Sequence, residues 1–417
     1  MFPAPASSSN PGVALGSAPV EAEAFVLGLA QALHSYGASA QQLEGMLTLV
    51  ALRLGLEARF YSTPTAVMVS FGAVTTARTS LVRVDPGAMD LEKLCLLHET
   101  TVQVIHGELG LVDGRARTAE IVRTPPRYGA PSTLLAFALS SGAAAVFFGG
   151  GQREIVVSML VGLGVGLVSR ASARWSAGFS IAEPIAATFA AVAASLAARG
   201  GAPLSTLVVT LAGVVTLLPG LGITTAMTEL ATRNLASGTA RFAGALVQLL
   251  GLGFGVAFGA RLVTLLPPPL PPPPSTAWSP LVLAAAVVIA ALAFSALLRV
   301  RPRDVGWVLL ACGLAFAGAR VGATLLGPEL GAFVGALVLG LTSNAFARAF
   351  DRPAALPLVP GLLVLVPGSV GFRSVFALLD NDVLSGVNAA FKMVMISVAL
   401  VSGVLFASIA IPPRRSL

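Results

Sequence analysis

A run of polar residues interrupts an apolar stretch immediately after Pro219-Gly220. It contains Glu229 and Arg233, four positions apart in the order that favours an ion pair on one helical face, and it includes the hydroxyls of Thr225 and Thr228. Because burying charge in a bilayer is costly, ionisable groups in an apolar region are functional candidates. Glu229 could accept an ammonium group or a coupling proton, while Arg233 or an exposed helix N-terminus receives a carboxylate. The alternative is a structural ion pair in a helix at the membrane surface.

The same arrangement occurs again in the C-terminal half, at a constant offset of 148 residues. Pro367-Gly368 corresponds to Pro219-Gly220, and the offset also holds for Ser237-Gly238, Gly255 and Phe258, whose counterparts are Ser385-Gly386, Gly403 and Phe406. A helix broken at Pro-Gly in each half is typical of transporters built from internal repeats. The second copy adds the candidates Ser369, Arg373 and Lys392. Snorkelling to the headgroups would equally explain the two bases, and close helix packing would explain Ser369.

The composition places most of the chain in a membrane. Hydrophobic residues make up 55% of the chain and charged residues 11%, against about 25% charged residues in an ordinary soluble domain. The 26 Lys and Arg outnumber the 19 Asp and Glu, but the excess lies in connections between apolar runs. It therefore indicates orientation in a bilayer and argues against a nucleic-acid partner.

The apolar runs predict a mainly α, polytopic membrane protein with about ten transmembrane helices. Five fall in residues 131–266 and five in residues 279–411, joined by a Pro-rich extracytoplasmic linker at 267–278. Because an odd number of spans reverses the direction in which the chain enters the bilayer, the two five-helix repeats should be inverted. The runs expected to span are 132–150, 153–169, 180–198, 203–218, 239–266, 279–298, 304–325, 330–349, 355–378 and 386–411.

Basic residues in the connections predict the orientation. Cytoplasmic connections carry an excess of Lys and Arg, so the richer side is expected to be inside together with both termini. The richer side holds Arg170, Arg174, Arg233, Arg241, Arg299, Arg301, Arg303, Arg348, Arg352, Arg414 and Arg415. The other side holds Arg153, Arg199 and Arg261, together with the acids Glu329, Asp380 and Asp382.

The first 127 residues differ in composition from the membrane region. Residues 1–20 are rich in Ala, Pro, Ser and Gly and contain no Lys or Arg, which predicts a disordered tail and no secretory signal peptide. Residues 21–127 are predicted to form a small cytoplasmic α+β domain of two helices, a small antiparallel sheet and two more helices. Ser39 predicts a capping box with Gln42, while Asp90 and Asp113 predict the starts of the last two helices.

The histidines and cysteines do not form a pattern with recognised chemistry. His98 and His106 lie eight residues apart on one predicted helix, a poor ligand geometry, and Cys95 with His98 would supply only two ligands. The chain contains no Gly-rich phosphate loop, no nucleophile elbow and no evident pair of catalytic carboxylates. The sequence therefore predicts a protein that is not an enzyme and that uses no metal or cofactor.

Several stretches of the sequence resemble the threonine/serine exporter family. The signature stretch of that family is similar to the run from Leu217-Leu218-Pro219-Gly220 to Thr228-Glu229-Leu230-Ala231-Thr232-Arg233-Asn234-Leu235-Ala236-Ser237-Gly238-Thr239-Ala240-Arg241. Its C-terminal module has a Pro-Gly motif that resembles Leu365-Val366-Pro367-Gly368-Ser369. Its N-terminal part resembles this chain at Tyr36-Gly37-Ala38-Ser39, Thr63-Pro64-Thr65 and Arg83-Val84. The likeness extends over residues 22–411.

The resemblance implies secondary export of threonine and serine across a bacterial inner membrane, driven by the proton motive force. The substrate, protons and the lipid bilayer would then be the partners. The expected mechanism is alternating access, in which inverted halves rock about a site between the two breaks while Glu229 exchanges a proton. Two alternatives are a channel or exporter for another small metabolite, and a membrane-anchored sensor or enzyme that uses the N-terminal domain.

Overall fold

The structure is a computed structural model that describes residues 18–84, 87–172, 181–200, 203–264, 266–268, 270–379 and 381–412. Most of the described residues are helical. The disordered tail predicted for residues 1–20 falls largely outside the described residues. Its last three residues, 18–20, are instead the first residues of a helix.

The N-terminal unit, residues 18–127, has the predicted order of two helices, a small antiparallel sheet and two helices. Its elements are α1 (Ala18–Ser35), α2 (Ala40–Arg53), β1 (Ala58–Thr63), β2 (Ala66–Phe71), β3 (Arg78–Arg83), α3 (Leu91–Ile105) and α4 (Leu111–Arg123). The strands are antiparallel in the order β1-β2-β3, and Val69 of the central strand is paired with Phe60 and Ser80. Within β2, Val67 and Val69 are buried while Met68 is exposed, because successive side chains point to opposite faces.

The N-terminal unit has a hydrophobic core of its own. Phe25 and Leu29 of α1 pack with Leu43 and Leu47 of α2, and each of these side chains is at most 1% exposed. Fully burying such a side chain contributes about 1.5–3 kcal/mol. The core therefore holds α1, α2 and the sheet together.

Two of the three predicted helix caps are confirmed. The Ser39 hydroxyl accepts a hydrogen bond from the Gln42 N–H and the Gln42 side chain accepts one from the Ser39 N–H, which completes the capping box of α2. Asp90 caps α3 in a similar way. The cap predicted at Asp113 is wrong, because α4 begins after Gly110 and Asp113 lies within its first turn. An acidic side chain is favourable there too, since it faces the positive end of the helix dipole.

In the part of the membrane region that the structure describes, there are twelve α-helices. They are α5 (Ala130–Phe147), α6 (Gln152–Ser172), α7 (Ala182–Ala197), α8 (Thr206–Gly213), α9 (Gly220–Ala231), α10 (Leu235–Leu262), α11 (Pro280–Leu297), α12 (Val305–Leu326), α13 (Pro328–Phe350), α14 (Ala355–Leu365), α15 (Gly368–Leu379) and α16 (Val383–Ala410). Eight segments of the described chain are long and apolar enough to cross a bilayer, or nine if the bent pair α8–α9 is one span. A polytopic membrane protein follows from these segments.

The expected count of ten spans depends on the apolar helix α7. Its 16 residues rise about 24 Å, which is shorter than the hydrocarbon thickness of about 30 Å. Alanine is its commonest residue, and Ala186, Ala187, Ala190 and Ala194 are buried against neighbouring helices. α7 is therefore an apolar helix of the core, and its crossing of the whole bilayer stays a prediction.

A proline interrupts a span in each half. The segments Thr206–Gly213 and Val215–Ala231 are bent by 48° at Val214, and Pro219 lies within the second segment, between its 3-10 turn and α9. α14 ends at Leu365 and α15 begins at Gly368, on either side of Pro367. Proline lacks the N–H that a continuous helix needs. The fourth apolar run is expected to end at residue 218; the 3-10 turn ends at Leu217, and the helix resumes as α9 at Gly220.

The two halves contain helices of the same order and similar length. α9 and α15 have 12 residues each, and α10 and α16 have 28 residues each. The turns between them also match, since Arg233 and Asn381 occupy equivalent positions with φ values of 65° and 64°. The repeat found in the sequence is therefore accompanied by a repeat in the local backbone structure.

The repeated glycines Gly255 and Gly403 allow long helices to pack closely. A Cβ on Gly255 would lie 2.3 Å from the carbonyl oxygen of Pro184 in α7, and one on Gly403 would lie 2.5 Å from that of Phe333 in α13. Small residues let helix backbones approach each other within a membrane. This spacing explains why the 148-residue offset extends to these two positions.

We expect Gly255→Val to destabilise the protein by about 1–3 kcal/mol, because the added carbons would collide with the α7 backbone. The matched control is Gly244→Val on the same helix, where a Cβ meets no atom within 4 Å. Thermal unfolding in detergent should show a lower midpoint for the first variant alone. Equal midpoints for the two variants would contradict the close packing of α7 against α10.

Candidate functional site

The two proline-glycine breaks lie against each other where the halves of the membrane region meet. A Cβ on Gly220 would lie 2.6 Å from Val366 Cγ2 and 3.3 Å from the backbone nitrogen of Gly368. A Cβ on Gly368 would lie 3.1 Å from Leu218 Cβ and 3.3 Å from the backbone nitrogen of Gly220. Each glycine thus contacts the residue that precedes the proline of the other break. The contact is reciprocal.

The helices that follow the breaks contact the other half of the membrane region in a similarly reciprocal way. α9 packs against α16, and α15 packs against α10, while α9 and α15 also contact each other. This arrangement brings the N-termini of α9 and α15 together at Gly220 and Gly368. Helix N-termini present free N–H groups and a positive dipole end, which suits the carboxylate of a substrate.

Polar side chains next to the first break mostly bond to the backbone. Gln248 Nε2 donates to the carbonyl oxygen of Leu217 at 2.9 Å, a group that the break leaves without a helical partner. The Thr224 hydroxyl donates to the Gly220 carbonyl at 3.0 Å, and the Thr228 hydroxyl to the Thr224 carbonyl at 2.9 Å. Two hydroxyls of the predicted polar face are therefore satisfied within α9, as is common for threonine in helices.

Glu229 is the most deeply buried charged group among the sequence-predicted site residues, with 0% of its surface exposed. Its Oε1 atom pairs with Arg241 Nε of α10 at 3.1 Å, while its Oε2 atom has no hydrogen-bond partner among the described residues. Glu229 lies nine residues after Gly220, about 14 Å along α9. It is therefore at the far end of the helix rather than between the two breaks.

The predicted i, i+4 pair of Glu229 with Arg233 does not form. α9 ends at Ala231, and Arg233 adopts a left-handed backbone conformation in the turn that leads to α10. Its side chain is exposed. Arg241 takes its place because α10 folds back beside α9. In the sequence, Arg241 is a basic residue in a connection and the last residue of the signature-like run, and only a helix-turn-helix geometry pairs it with Glu229.

The N-terminal unit supplies a second partner of Glu229. The backbone N–H of Ala40, the first residue of α2, donates to Glu229 Oε1 at 3.0 Å. Ala40 is buried, and its N–H is one of the groups that a helix N-terminus leaves unpaired. Nothing in the sequence pattern connects positions 40 and 229. This contact became apparent only in the tertiary structure.

Glu44 lies one helical turn beyond Ala40 on α2, close enough to the Glu229 carboxylate to be affected by its charge. Its Oε1 atom accepts a hydrogen bond from the Ser62 N–H at 2.6 Å. Burial raises the pKa of Glu44, the Ser62 hydrogen bond opposes this shift, and the nearby charge of Glu229 raises the pKa further. Two acidic side chains from different parts of the chain thus lie near each other at the C-terminal end of α9.

The remaining candidates are dispersed around the breaks. Arg373 lies 5.6 Å from the centre of the Phe148 ring at the end of α5, a cation–π contact. Lys392 is exposed on α16, and Ser369 is half-buried in the first turn of α15. Thr225 is half-buried on α9. The structure thus brings Pro219, Gly220, Pro367 and Gly368 into one cluster and leaves the charged candidates outside it.

A second contact, which we call the anchor, joins α3 of the N-terminal unit to residues 298–303 between α11 and α12. The Leu91 N–H donates to the Leu298 carbonyl at 3.0 Å, and apolar side chains from both sides pack together there. Four ion pairs reinforce it: Arg299 with Asp90 at 3.1 Å, Arg301 with Glu99 at 3.0 Å and with Glu92 at 4.0 Å, and Arg303 with Glu99 at 3.6 Å. The anchor combines apolar burial with several polar contacts.

Cys95 and His98 are buried near the anchor. Burial raises the pKa of the Cys95 thiol to about 12, despite the opposing effect of Arg301. Burial lowers the pKa of His98, and the nearby Asp351 opposes that shift. Within the described ranges, no three His, Cys, Asp or Glu side chains are grouped in a way that could hold a metal ion. Both groups are part of the packing between α3 and the membrane helices.

Comparison with protein families finds two matches that follow each other along the chain. Residues 24–263 match a family model described as "Putative threonine/serine exporter", and residues 283–410 match one described as "Threonine/Serine exporter, ThrE". The first match includes the N-terminal unit and the first break, and the second includes the other break. Both stretches that carry the candidate site therefore fall within the matched regions.

Among curated proteins, the chain is similar to fungal proteins named pheromone-regulated membrane protein 10. It is 26% identical to that of Candida albicans (strain WO-1) over 387 residues, 89% of this chain and 34% of the relative. It is 30% identical to that of Saccharomyces cerevisiae (strain YJM789) over 249 residues, 57% of this chain and 31% of the relative. The chain thus spans about a third of the length of these relatives. No solved structure matches the chain.

Proposed function

This chain belongs to the threonine/serine exporter family, and from that premise we propose that it exports threonine and serine from the cytoplasm by alternating access. The family is one of transporters rather than enzymes. The choice of hydroxylated amino acids comes from the family descriptions. The mechanism rests on the geometry of the breaks.

The reciprocal contact of Gly220 with Gly368 is the observation that carries this proposal. Repeat-built transporters bind their substrates where broken helices from the two repeats meet, and they change access by moving one repeat against the other. The two glycines let the backbones of the breaks approach each other closely, so the halves meet at a point of small cross-section. Rocking of the halves about the breaks would expose the two helix N-termini, which would receive the substrate carboxylate.

The positions of equivalent connections support inverted repeats. The connection between α11 and α12 contacts the N-terminal unit at the anchor. The equivalent connection between α5 and α6 contacts the linker instead, where the Thr276 N–H donates to the Gly149 carbonyl at 2.7 Å and Trp278 Nε1 donates to the Gly150 carbonyl at 2.8 Å. α5 starts near the anchor and ends at this linker. Equivalent connections at opposite ends of α5 favour halves of opposite orientation.

We place the N-terminal unit in the cytoplasm and the protein in a bacterial inner membrane, with both termini inside. Arg241, Arg299, Arg301 and Arg303 lie at the end of the membrane helices that contacts the N-terminal unit. An excess of basic residues marks the cytoplasmic side. Epitope tags at either terminus should therefore be accessible only after the cells are permeabilised.

Glu229 is the proposed coupling residue. It is a fully buried carboxylate at the cytoplasmic end of α9, paired with only one base, Arg241, among the described residues. A proton that enters from outside would be released at this end, and the ionised carboxylate would then be held by Arg241. Intramembrane acids with a single basic partner commonly serve such proton steps.

Counterflow in proteoliposomes tests substrate and coupling together. Vesicles preloaded with threonine should take up labelled threonine and serine in preference to the other amino acids, and an imposed pH gradient should drive uphill movement. A rate of uptake that does not change with the pH gradient and does not saturate with threonine concentration would favour the alternative of a channel. Uptake that excess threonine does not compete would favour an exporter of another small metabolite.

A further inference from the structure

The equivalent ends of α9 and α15 have different surroundings. At the end of α9, Glu229 is fully buried and Leu230 is half-buried. The counterparts at the end of α15 are Ala377, which is half-buried, and Leu378, which is 43% exposed. The repeat alone would give both ends the same cover. The N-terminal unit adds cover at α9: the Ala40 N–H of α2 donates to Glu229, and β1 contacts α10 beside it.

The contact that covers α9 is polar and small, and we call it the latch. It consists of the Ala40 N–H, the Glu229 carboxylate and the Arg241 guanidinium, all within 3.1 Å of one oxygen atom. The second carboxylate oxygen of Glu229 is buried without a hydrogen-bond partner among the described residues.

The latch and the anchor differ in strength. The anchor buries apolar side chains, including Leu91 and Val300 at 1% and 0% exposure, and adds four ion pairs. The latch has one hydrogen bond and one ion pair on a single carboxylate. Separation at the latch with the anchor intact is therefore the motion of lower cost for the N-terminal unit.

We propose that the N-terminal unit is the cytoplasmic gate of the transport pathway. α2 swings away from the end of α9 when the latch opens, while the anchor keeps the unit attached to the membrane helices. Release of α2 exposes Glu229 to the cytoplasm and opens the approach to the two breaks. This inference rests on the proposed function for the nature of the solute, but the gate itself can be observed without any transport.

Ala40→Pro removes the latch hydrogen bond, places the ring carbon Cδ against the Glu229 carboxylate in place of the N–H, and keeps a residue suited to the start of α2. Proline is favoured at the first position of a helix, and the preceding residue should be extended, as Ser39 is with φ −69° and ψ 157°. Leu111→Pro is the matched control, since Leu111 is the first residue of α4 and Gly110 before it has φ −66° and ψ 156°. The control places the same residue at the same helix position in the same unit, away from Glu229.

Reaction of Glu229 with a water-soluble carbodiimide measures whether the gate is open. The full-length protein in proteoliposomes is treated with the carbodiimide and glycine methyl ester at constant pH, and modified peptides are counted by mass spectrometry. Glu154, another buried carboxylate, lies away from the N-terminal unit and serves as an internal reference. We expect Glu229 to be modified about tenfold faster or more in Ala40→Pro, the factor for losing a hydrogen bond to a charged group. Wild type and Leu111→Pro should both react slowly.

Equal modification of Glu229 in Ala40→Pro and wild type would overturn the gate. If thermal unfolding shows that Ala40→Pro does not fold, Arg241→Gln, which weakens the latch from the membrane side, is compared with wild type in the same way. No acceleration in that variant would also overturn the proposal. Faster modification in a protein that transports neither threonine nor serine would keep the gate and refute the proposed substrates. A protein that transports threonine but shows no faster modification of Glu229 in the variants would keep the proposed substrate and refute the gate.

Discussion

Gly220→Ala is expected to lower threonine counterflow by about tenfold or more. The new Cβ would lie 2.6 Å from Val366 Cγ2 and 3.3 Å from the Gly368 nitrogen, so the two breaks would have to separate. Overpacking of this kind costs about 1–3 kcal/mol, and 1.4 kcal/mol corresponds to a factor of ten. The proposed alternating-access mechanism depends on the contact between Gly220 and Gly368, and this substitution disturbs that contact directly. The measurement is the initial rate of labelled threonine uptake into preloaded proteoliposomes.

Gly222→Ala is the matched control on the same helix. A Cβ there would lie 4.0 Å from its nearest neighbours, Ala245 and Pro219, which is ordinary van der Waals contact. Alanine is also the better helix former, by about 1 kcal/mol, so the control should be as stable as the wild type or more stable. Equal transport by the two variants would show that the breaks need not approach each other during the cycle.

Glu229→Gln is expected to abolish uphill export while exchange of threonine continues. A pH difference of one unit stores about 1.4 kcal/mol per proton, enough to sustain about a tenfold threonine gradient with one proton per substrate. Glutamine retains the size of the side chain and an oxygen for the Ala40 N–H, but it cannot carry a proton at neutral pH. The steady-state threonine gradient in vesicles with an imposed pH difference measures the effect.

Glu154→Gln separates loss of coupling from loss of a buried acid. Glu154 is 3% exposed and accepts hydrogen bonds from the Gly151 and Ser205 N–H groups at 3.0 Å each, without an ion pair among the described residues. Its replacement is expected to lower stability and to leave the pH-driven gradient in place. A Glu229→Gln variant that still builds the full gradient would remove this residue from the coupling mechanism.

Local features of the fold were predictable because they depend on neighbours in the sequence. The capping box at Ser39 needs only the residue three positions later, and the cap at Asp90 needs only the next helical turn. The breaks follow from the missing N–H of Pro219 and Pro367. Long apolar runs likewise predict membrane helices, because a bilayer can accommodate a polar backbone only when it is internally hydrogen-bonded.

The partner of Glu229 was mispredicted for a physical reason. The i, i+4 rule assumes that the helix continues, but α9 ends at Ala231 and turns at Arg233. The carboxylate then meets α10 and the N-terminal unit, at separations of 12 and 189 residues along the chain. Contacts at such separations depend on how whole helices pack, which local patterns do not specify.

By itself, the sequence determined the membrane class, the duplicated breaks and the resemblance to an exporter family, since composition, spacing and motifs are properties of the linear chain. Only the tertiary structure decided that Gly220 packs on Gly368 and that α2 covers Glu229. Backbone contacts between glycines and a hydrogen bond from a peptide N–H involve no distinctive side chain. They therefore become visible only when the elements that bear them are brought together in space.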